Sequence, residues 1–173
     1  MQSWRTLPAT AVSCALALWC LPGSGAERHE VGVQADQIVI LKSARTMTLL
    51  HQGKVLKTYK VALGHEPRGA KTERGDNKTP EGMYTINSRN PHSQFHLALH
   101  ISYPNQADRA RAKRLGVNPG GDIMIHGLPP PYSWLGDAHR QTDWTLGCVA
   151  VTDAEIEEIW GLVPNGVKVE IKP

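Results

Sequence analysis

Apolar residues recur along this chain at two spacings, and the change from one to the other marks out most of its elements. Gln37-Ile38-Val39-Ile40-Leu41-Lys42 is a β-branched run that reads as a buried strand. Thr46–His51, a Gln52-Gly53 turn and residues 54–63 read as a hairpin, with Val55, Lys57, Tyr59 and Val61 on one face and Leu56, Thr58, Lys60 and Ala62 on the other. Residues 64–82 are dense in glycine, proline and charge, which predicts a long cleft-shaping loop before a strand over 83–88. In residues 95–103, Phe95, Leu97, Leu99 and Ile101 alternate with His96, Ala98, His100 and Ser102, as in a strand with one buried face. Asn105 then caps a helix that has Asp108 in its first turn, carries Arg109, Arg111, Lys113 and Arg114, and stops at Gly116. Residues 122–126 read as a strand that delivers His126 at its end, because Pro129-Pro130-Pro131 bars its regular continuation, and a loop follows to about Thr142. After a strand around Cys148, Thr152 and Glu155 form a capping box for a helix whose apolar stripe is Ile156, Ile159, Trp160 and Val163. Pro164 and Gly166 end that helix, and residues 167–171 close the chain as a strand. The pattern predicts a mainly β domain of mixed strands with two short α-helices.

The first 26 residues follow a different pattern. One cation, Arg5, precedes an apolar run over residues 7–21 and then Gly23-Ser24-Gly25-Ala26, which reads as a secretory signal peptide cleaved after Ala26. The run is too short and wrongly flanked for a stable membrane span, so the mature chain is expected to be exported with no transmembrane segment. A lipid anchor on Cys20 would need a small residue before it, where the chain has Trp19. A polar leader, residues 27–36, then precedes a single domain, residues 37–173, which is large enough for its own core.

Cleavage removes Cys14 and Cys20 and leaves Cys148 as the only thiol, in a compartment that oxidises paired cysteines. The mature chain has 18 basic and 16 acidic residues, and a net charge of +2 gives no reason to expect a nucleic acid partner. It permits an anionic wall polymer.

Cys148 directly follows Gly147, and His126-Gly127 lies 22 residues upstream on a different element. A cysteine nucleophile needs a thiolate, an imidazole to generate it and backbone N–H groups to hold the oxyanion formed on attack, and these residue types could supply all three. A lone cysteine is more often an inert buried residue and a lone histidine more often structural. Here the Gly127 carbonyl could reach one ring nitrogen of His126 and aim the other at the thiol, and no Asp or Asn is placed by sequence as a third member. His92, His96 and His100 invite a metal reading, but on a strand each four-residue step covers about 13 Å, too far for one ion. His126, His139 and Cys148 with Asp137 or Asp143 lack any familiar metal spacing. No metal or other cofactor is expected.

Gly121-Asp122-Ile123-Met124-Ile125-His126-Gly127, followed by Asp143-Trp144-Thr145-Leu146-Gly147-Cys148-Val149-Ala150-Val151-Thr152, resembles the L,D-transpeptidase catalytic (YkuD-like) domain family, and within it the YafK/DpaA-like branch. Gly75-Asp76-Asn77-Lys78-Thr79-Pro80-Glu81-Gly82 and Ile101-Ser102-Tyr103-Pro104-Asn105 fit as well, and the likeness runs from about Gln37 to the C-terminus. Two positions depart from the wider family: Leu146 stands where Ser/Thr-His-Gly-Cys has histidine, and Ala150 stands where Asn or Arg is common. The resemblance implies a YkuD-like β fold and chemistry on the diaminopimelate-containing stem peptides of peptidoglycan. It assigns Cys148 as nucleophile and His126 as base, with the backbone of Gly147 and Leu146, beside that of Cys148, holding the oxyanion. Trp144, Thr145, Met124 and Gly127 are the candidate substrate-contacting positions. Passing the acyl group to an amine would make crosslinks or attach a wall-linked outer-membrane lipoprotein; passing it to water would make a carboxypeptidase or a lipoprotein-releasing amidase. With Leu146 in the motif, a wall-binding pseudoenzyme is the non-enzymatic alternative.

Overall fold

A computed structural model describes Met1 and residues 32–173; the expected signal peptide, apart from Met1, and the first five leader residues lie outside the described residues. Strands β1 (Gln37–Leu41), β2 (Thr46–His51), β3 (Lys54–Lys60), β4 (Gly82–Ser93), β5 (His96–Ile101), β6 (Met124–His126), β7 (Val149–Ala150) and β8 (Lys168–Lys172) form one sheet in the order β3-β2-β1-β8-β4-β5-β6-β7. The β1/β8 and β6/β7 pairs are parallel and the rest antiparallel. Just beyond β3, Ala62 bridges to Ala150 and Gly64 to Thr145. The two ends of the strand order therefore meet, and the mixed sheet curls around its core.

That core is what the strand pattern selects. Ile38 and Ile40 of β1, Met47 and Leu49 of β2, and Val169 and Ile171 of β8 alternate inward with almost no exposed surface, each side chain withdrawing about 1.5–3 kcal/mol worth of apolar area from water. The β3 alternation breaks. A bulge opposite Leu49/Leu50 leaves Leu56 unpaired, and the extra residue switches which side chains face inward. Tyr59 is consequently buried while Val55, expected on the same face, is 64% exposed and Leu56 packs on the core. Strand β4 also runs five residues beyond its expected end at Ser88, because Asn90 and Ser93 pair with β5 although their polar side chains carry no apolar period. His92 thus lies on β4, whereas His96 and His100 lie on β5 and turn to Glu157 and Asn87.

Helices α1 (Gln106–Leu115) and α2 (Asp153–Leu162) start at the expected caps, Thr152 in its expected capping box with Glu155 and Asn105 in one that Asp108 completes, each cap worth about 1 kcal/mol. Gly116 ends α1 in the left-handed conformation, φ 69°. Ile156 and Ile159 of α2 are fully buried, in the layer that covers β5 and β6. The segment expected as a loop after His126 contains a 3-10 stretch, Pro130–Gln141, interrupted at Gly136 where φ is 46°. No helix among the described residues is long and apolar enough to cross a membrane.

Candidate active site

His126 ends β6 and is 3% exposed. Its Nδ1–H donates to the carbonyl of its own neighbour, Gly127, at 2.7 Å, which fixes the tautomer and leaves Nε2 as the basic nitrogen. The following residue has to be glycine, since a Cβ there would lie 2.6 Å from Asp153 Oδ1 and 3.0 Å from Ile156 at the start of α2. Asp153 also accepts from the Leu128 N–H at 2.7 Å, so the helix start clamps the turn that carries the orienting carbonyl. Gly127, a candidate substrate contact by sequence, is buried, and its carbonyl accepts from His126.

Cys148 directly precedes β7, the strand that pairs with β6. The parallel pairing sets His126 opposite Ala150, so Cys148, two residues earlier, belongs to the set of positions that shares a sheet face with His126, about 6.5 Å further along. Two hydrogen bonds shape the preceding turn: the Thr145 hydroxyl donates to the Cys148 carbonyl at 2.8 Å and accepts from the Gly147 N–H at 3.1 Å. The Gly147 amide, expected among the oxyanion donors, is engaged by the Thr145 hydroxyl in this turn. Gly147 is needed for conformation: its φ is +130°, and a Cβ would sit 2.7 Å from the Lys78 carbonyl oxygen. Thr145 is buried and is a builder of the turn rather than a wall of the cleft.

The thiol donates to the Asp122 carbonyl at 3.4 Å, and Asp122 itself adopts a left-handed φ of 57° just ahead of β6. Burial pushes the Cys148 thiol above its ordinary range, with the Met124 N–H and then the Lys71 ammonium pulling it down and Asp122 pushing it up. Burial also drives the His126 imidazole below its ordinary value, against the opposing hydrogen bond to Gly127. Both shifts favour a neutral thiol and a neutral imidazole over a resting thiolate and imidazolium.

Around this pair, Trp144 is half-buried and stands edge-on to His126, ring centroids 5.8 Å apart, while Phe95 lies 4.5 Å from the same imidazole. Trp144 also lines a cavity of about 350 Å³ with Leu128, Leu135 and His139. Met124 is half-buried beside the thiol through its backbone. Leu146, by contrast, is 74% exposed and takes no part in the packing of His126. The 64–82 loop presses on the nucleophile turn from the other side: a Cβ on Gly64 would meet the Asn77 oxygen at 2.2 Å and the Gly147 α-carbon at 3.0 Å.

Three supporting groups carry no periodic signal, and sequence reasoning assigned them no role. Asp76 accepts from Lys71 Nζ and from the N–H groups of Thr72, Glu73 and Lys78, folding the loop that supports Gly147. Lys42, 2% exposed, donates to Glu81 and to the carbonyls of Gly69 and Thr79. Asp143 joins Arg45 to the Leu63 N–H next to Trp144. Lys42 ends a β-branched run, and Asp76 and Asp143 fall inside the motif segments, but nothing local to those segments shows which groups each one meets.

A family model described as the L,D-transpeptidase catalytic domain (YkuD) matches residues 35–171. The chain is 32% identical over 136 residues to YafK of Escherichia coli K12, a protein assigned to the L,D-transpeptidases, covering 75% of this chain and 48% of YafK. It spans about half the length of the curated relatives it matches. Among solved structures it resembles the helical cell shape determining protein Pgp2 of Campylobacter jejuni, with 25% identity, a TM-score of 0.59 and coverage of 83% of this chain and 54% of that one. An L,D-transpeptidase from Mycobacterium smegmatis shares the fold at 15% identity and TM-score 0.54, over 80% of this chain and 59% of its own. With a His-Gly turn and a Gly-Cys turn meeting on a curled mixed sheet, and that match over most of its length, the chain belongs to the YkuD L,D-transpeptidase catalytic domain family.

Proposed function

We propose that this chain is an exported cysteine acyltransferase acting on peptidoglycan stem peptides at diaminopimelate, with Cys148 as nucleophile and His126 as base. The observation that carries the reading is the His126 tautomer. Its Nδ1–H is held by the Gly127 carbonyl, so Nε2 is an acceptor on the sheet face it shares with Cys148. A neutral pair makes attack and proton transfer a joint event: Cys148 Sγ bonds to the scissile carbonyl carbon while Nε2 takes the thiol proton. The tetrahedral oxyanion is received by the backbone amide of Cys148, with that of Leu146, while Gly147 shapes the turn. The His126 imidazolium then protonates the departing amine, the C–N bond breaks and a thioester remains. An incoming amine, or water, returns the enzyme to its resting state by the reverse proton movements. Trp144, Met124 and the adjoining cavity form the wall of the substrate site in this reading.

Leu146 does not weaken the enzymatic reading against the pseudoenzyme one, because its side chain faces solvent and displaces nothing between His126 and Cys148. The test is incubation of the purified mature protein with muropeptides and with lipoprotein-linked sacculi, followed by mass analysis. A thioacyl adduct on Cys148 with released amine is the expected result, and the product identifies the acceptor: a 3–3 crosslink or lipoprotein conjugate for an amine, a shortened stem or freed lipoprotein for water. Binding to sacculi with no adduct at any pH would overturn the enzyme reading.

A further inference from the structure

We infer that His139 is a positioning residue for the base of this site: by accepting the indole N–H of Trp144, it fixes that ring against the His126 imidazole. The inference rests on the proposed role of His126. Trp144 Nε1 donates to His139 Nδ1 at 3.2 Å. An indole N–H can only donate, so His139 carries its own proton on Nε2. The Trp144 ring it holds stands at 70° to His126, and Phe95 supports the same imidazole at 4.5 Å. The hydrogen bond to Gly127 sets the tautomer of His126; the two flanking rings limit how its plane can turn.

His139 is an expensive residue for this place if it serves packing alone. It is 5% exposed, and its Nε2 is buried without a hydrogen-bond partner, a burden of the kind that native structures carry at few positions. An apolar side chain would line the same cavity wall without that penalty but could not accept from Trp144. The surroundings keep it an acceptor: burial, then the neighbouring Arg140 guanidinium, hold it down to about 4, against Glu155 and Asp137, with His126 also lowering it. Its segment is anchored as well. Arg140 pairs with Asp137 and with Glu155, and Glu155 also accepts from the Thr152 N–H in the α2 cap. The same helix start holds Leu128 through Asp153. One helix end thus braces both the carbonyl that orients His126 and the residue that pins its neighbouring ring.

The test compares wild type with His139→Leu, His139→Gln, Trp144→Phe and the His139→Leu/Trp144→Phe double variant. The readouts are kcat and KM on muropeptides and the NMR titration of the His126 imidazole. We expect His139→Leu to lower kcat about 10-fold with little change in KM, as misplacement of a base does. Its His126 titration should move up toward the ordinary value as the loosened ring takes up water. The His139→Gln variant can still accept through its amide oxygen and should restore most of both. Trp144→Phe keeps a ring and deletes the N–H, so the double variant should lose no more than the single ones. A folded His139→Leu protein with unchanged kcat and unchanged His126 titration overturns the inference, as do losses that multiply in the double variant. If His139→Leu does not fold, Trp144→Phe against wild type carries the same decision. A wild type that forms no acyl adduct sinks the proposed function alone, because the titration still reads whether His139 holds His126.

Discussion

The sheet half built from β1, β2, β3 and β8 and the half that ends in β6 and β7 are ordered by different means. In the first, five- to seven-residue strands pair along nearly all of their length, with one bulge at Leu56, and the alternating apolar side chains of β1, β2 and β8 fill the core. In the second, β6 has three residues and β7 two, too few for a ladder to hold them. Polar contacts take over, some within a turn and some from distant segments: Thr145 on the Gly147 amide and the Cys148 carbonyl, Asp76 on the Lys78 amide, Asp153 on the Leu128 amide and Asp143 on the Leu63 amide. The lesson is that a region presenting reactive groups at a sheet end gives up ladder pairing there and recovers rigidity from buried polar anchors and glycines at close approaches.

Substitutions can break this contrast, and the largest effect belongs to the nucleophile. Cys148→Ala should abolish turnover and the mass adduct while thermal unfolding stays within a few degrees of wild type, because the thiol contributes chemistry and little packing. Next comes Gly147→Val, where a side chain would need a φ of +130° and would collide with the Lys78 carbonyl. A loss of about 100-fold or more in kcat, with KM nearly kept, is expected from steady-state kinetics. A comparable defect from a β1 change such as Ile38→Val, predicted to cost about 1 kcal/mol in denaturant melts and no activity, would erase the distinction between the halves.

Lys42→Met probes the polar anchoring by stability alone. It strands the carbonyls of Gly69 and Thr79 and the Glu81 carboxylate, and should cost about 2 kcal/mol in chemical denaturation.

Acid sharpens the comparison further. His126 and His139 both bind protons less readily when folded than the value near 6.5 of an unfolded histidine. The unfolded chain therefore holds more protons, and the stability contributed by these two groups is intact above about pH 6.5 and declines below it, the His139 share being lost as pH falls toward about 4. Thermal melts between those values should decline, and His139→Gln should flatten part of the slope. The same electrostatics revise an expectation drawn from the motif. A resting imidazolium would lower the thiol and speed alkylation below the usual cysteine value of about 8.5. The partly buried thiol is instead raised, so iodoacetamide trapping of Cys148 should accelerate only above that value. A profile centred well below it would restore the ion-pair picture. The smallest effect is expected at Leu146, where alanine should change stability by less than about 0.5 kcal/mol and leave kcat intact, since the side chain stands in solvent.

Much of the fold was legible in residue order. The strands β1 and β8, the inward face of β5 and the starts of both helices follow from local period and local hydrogen-bonding chemistry. The β3 faces were misread because a bulge changes parity without leaving a mark in the sequence, and β4 was read too short because its last turn of pairing is polar. At the site, the His-Gly and Gly-Cys pairs stood out as chemistry, and the structure sets them on adjacent parallel strands. Thr145 and Gly127, read as substrate contacts, are buried and make hydrogen bonds within the two turns.

By itself the sequence determined which residues prefer strand or helix, where each helix starts, and which residue types could act as nucleophile and base. Those properties depend on neighbours within a few positions, where the geometry of the chain is already known. Tertiary structure alone decided that the Gly147 amide is taken by Thr145, that Lys78 forbids a side chain at Gly147, and that His139, 13 residues beyond His126, holds the Trp144 ring beside it. It also decided the protonation of the pair, because desolvation depends on every group that packs around a site, and those groups come from segments that meet only when the sheet has curled.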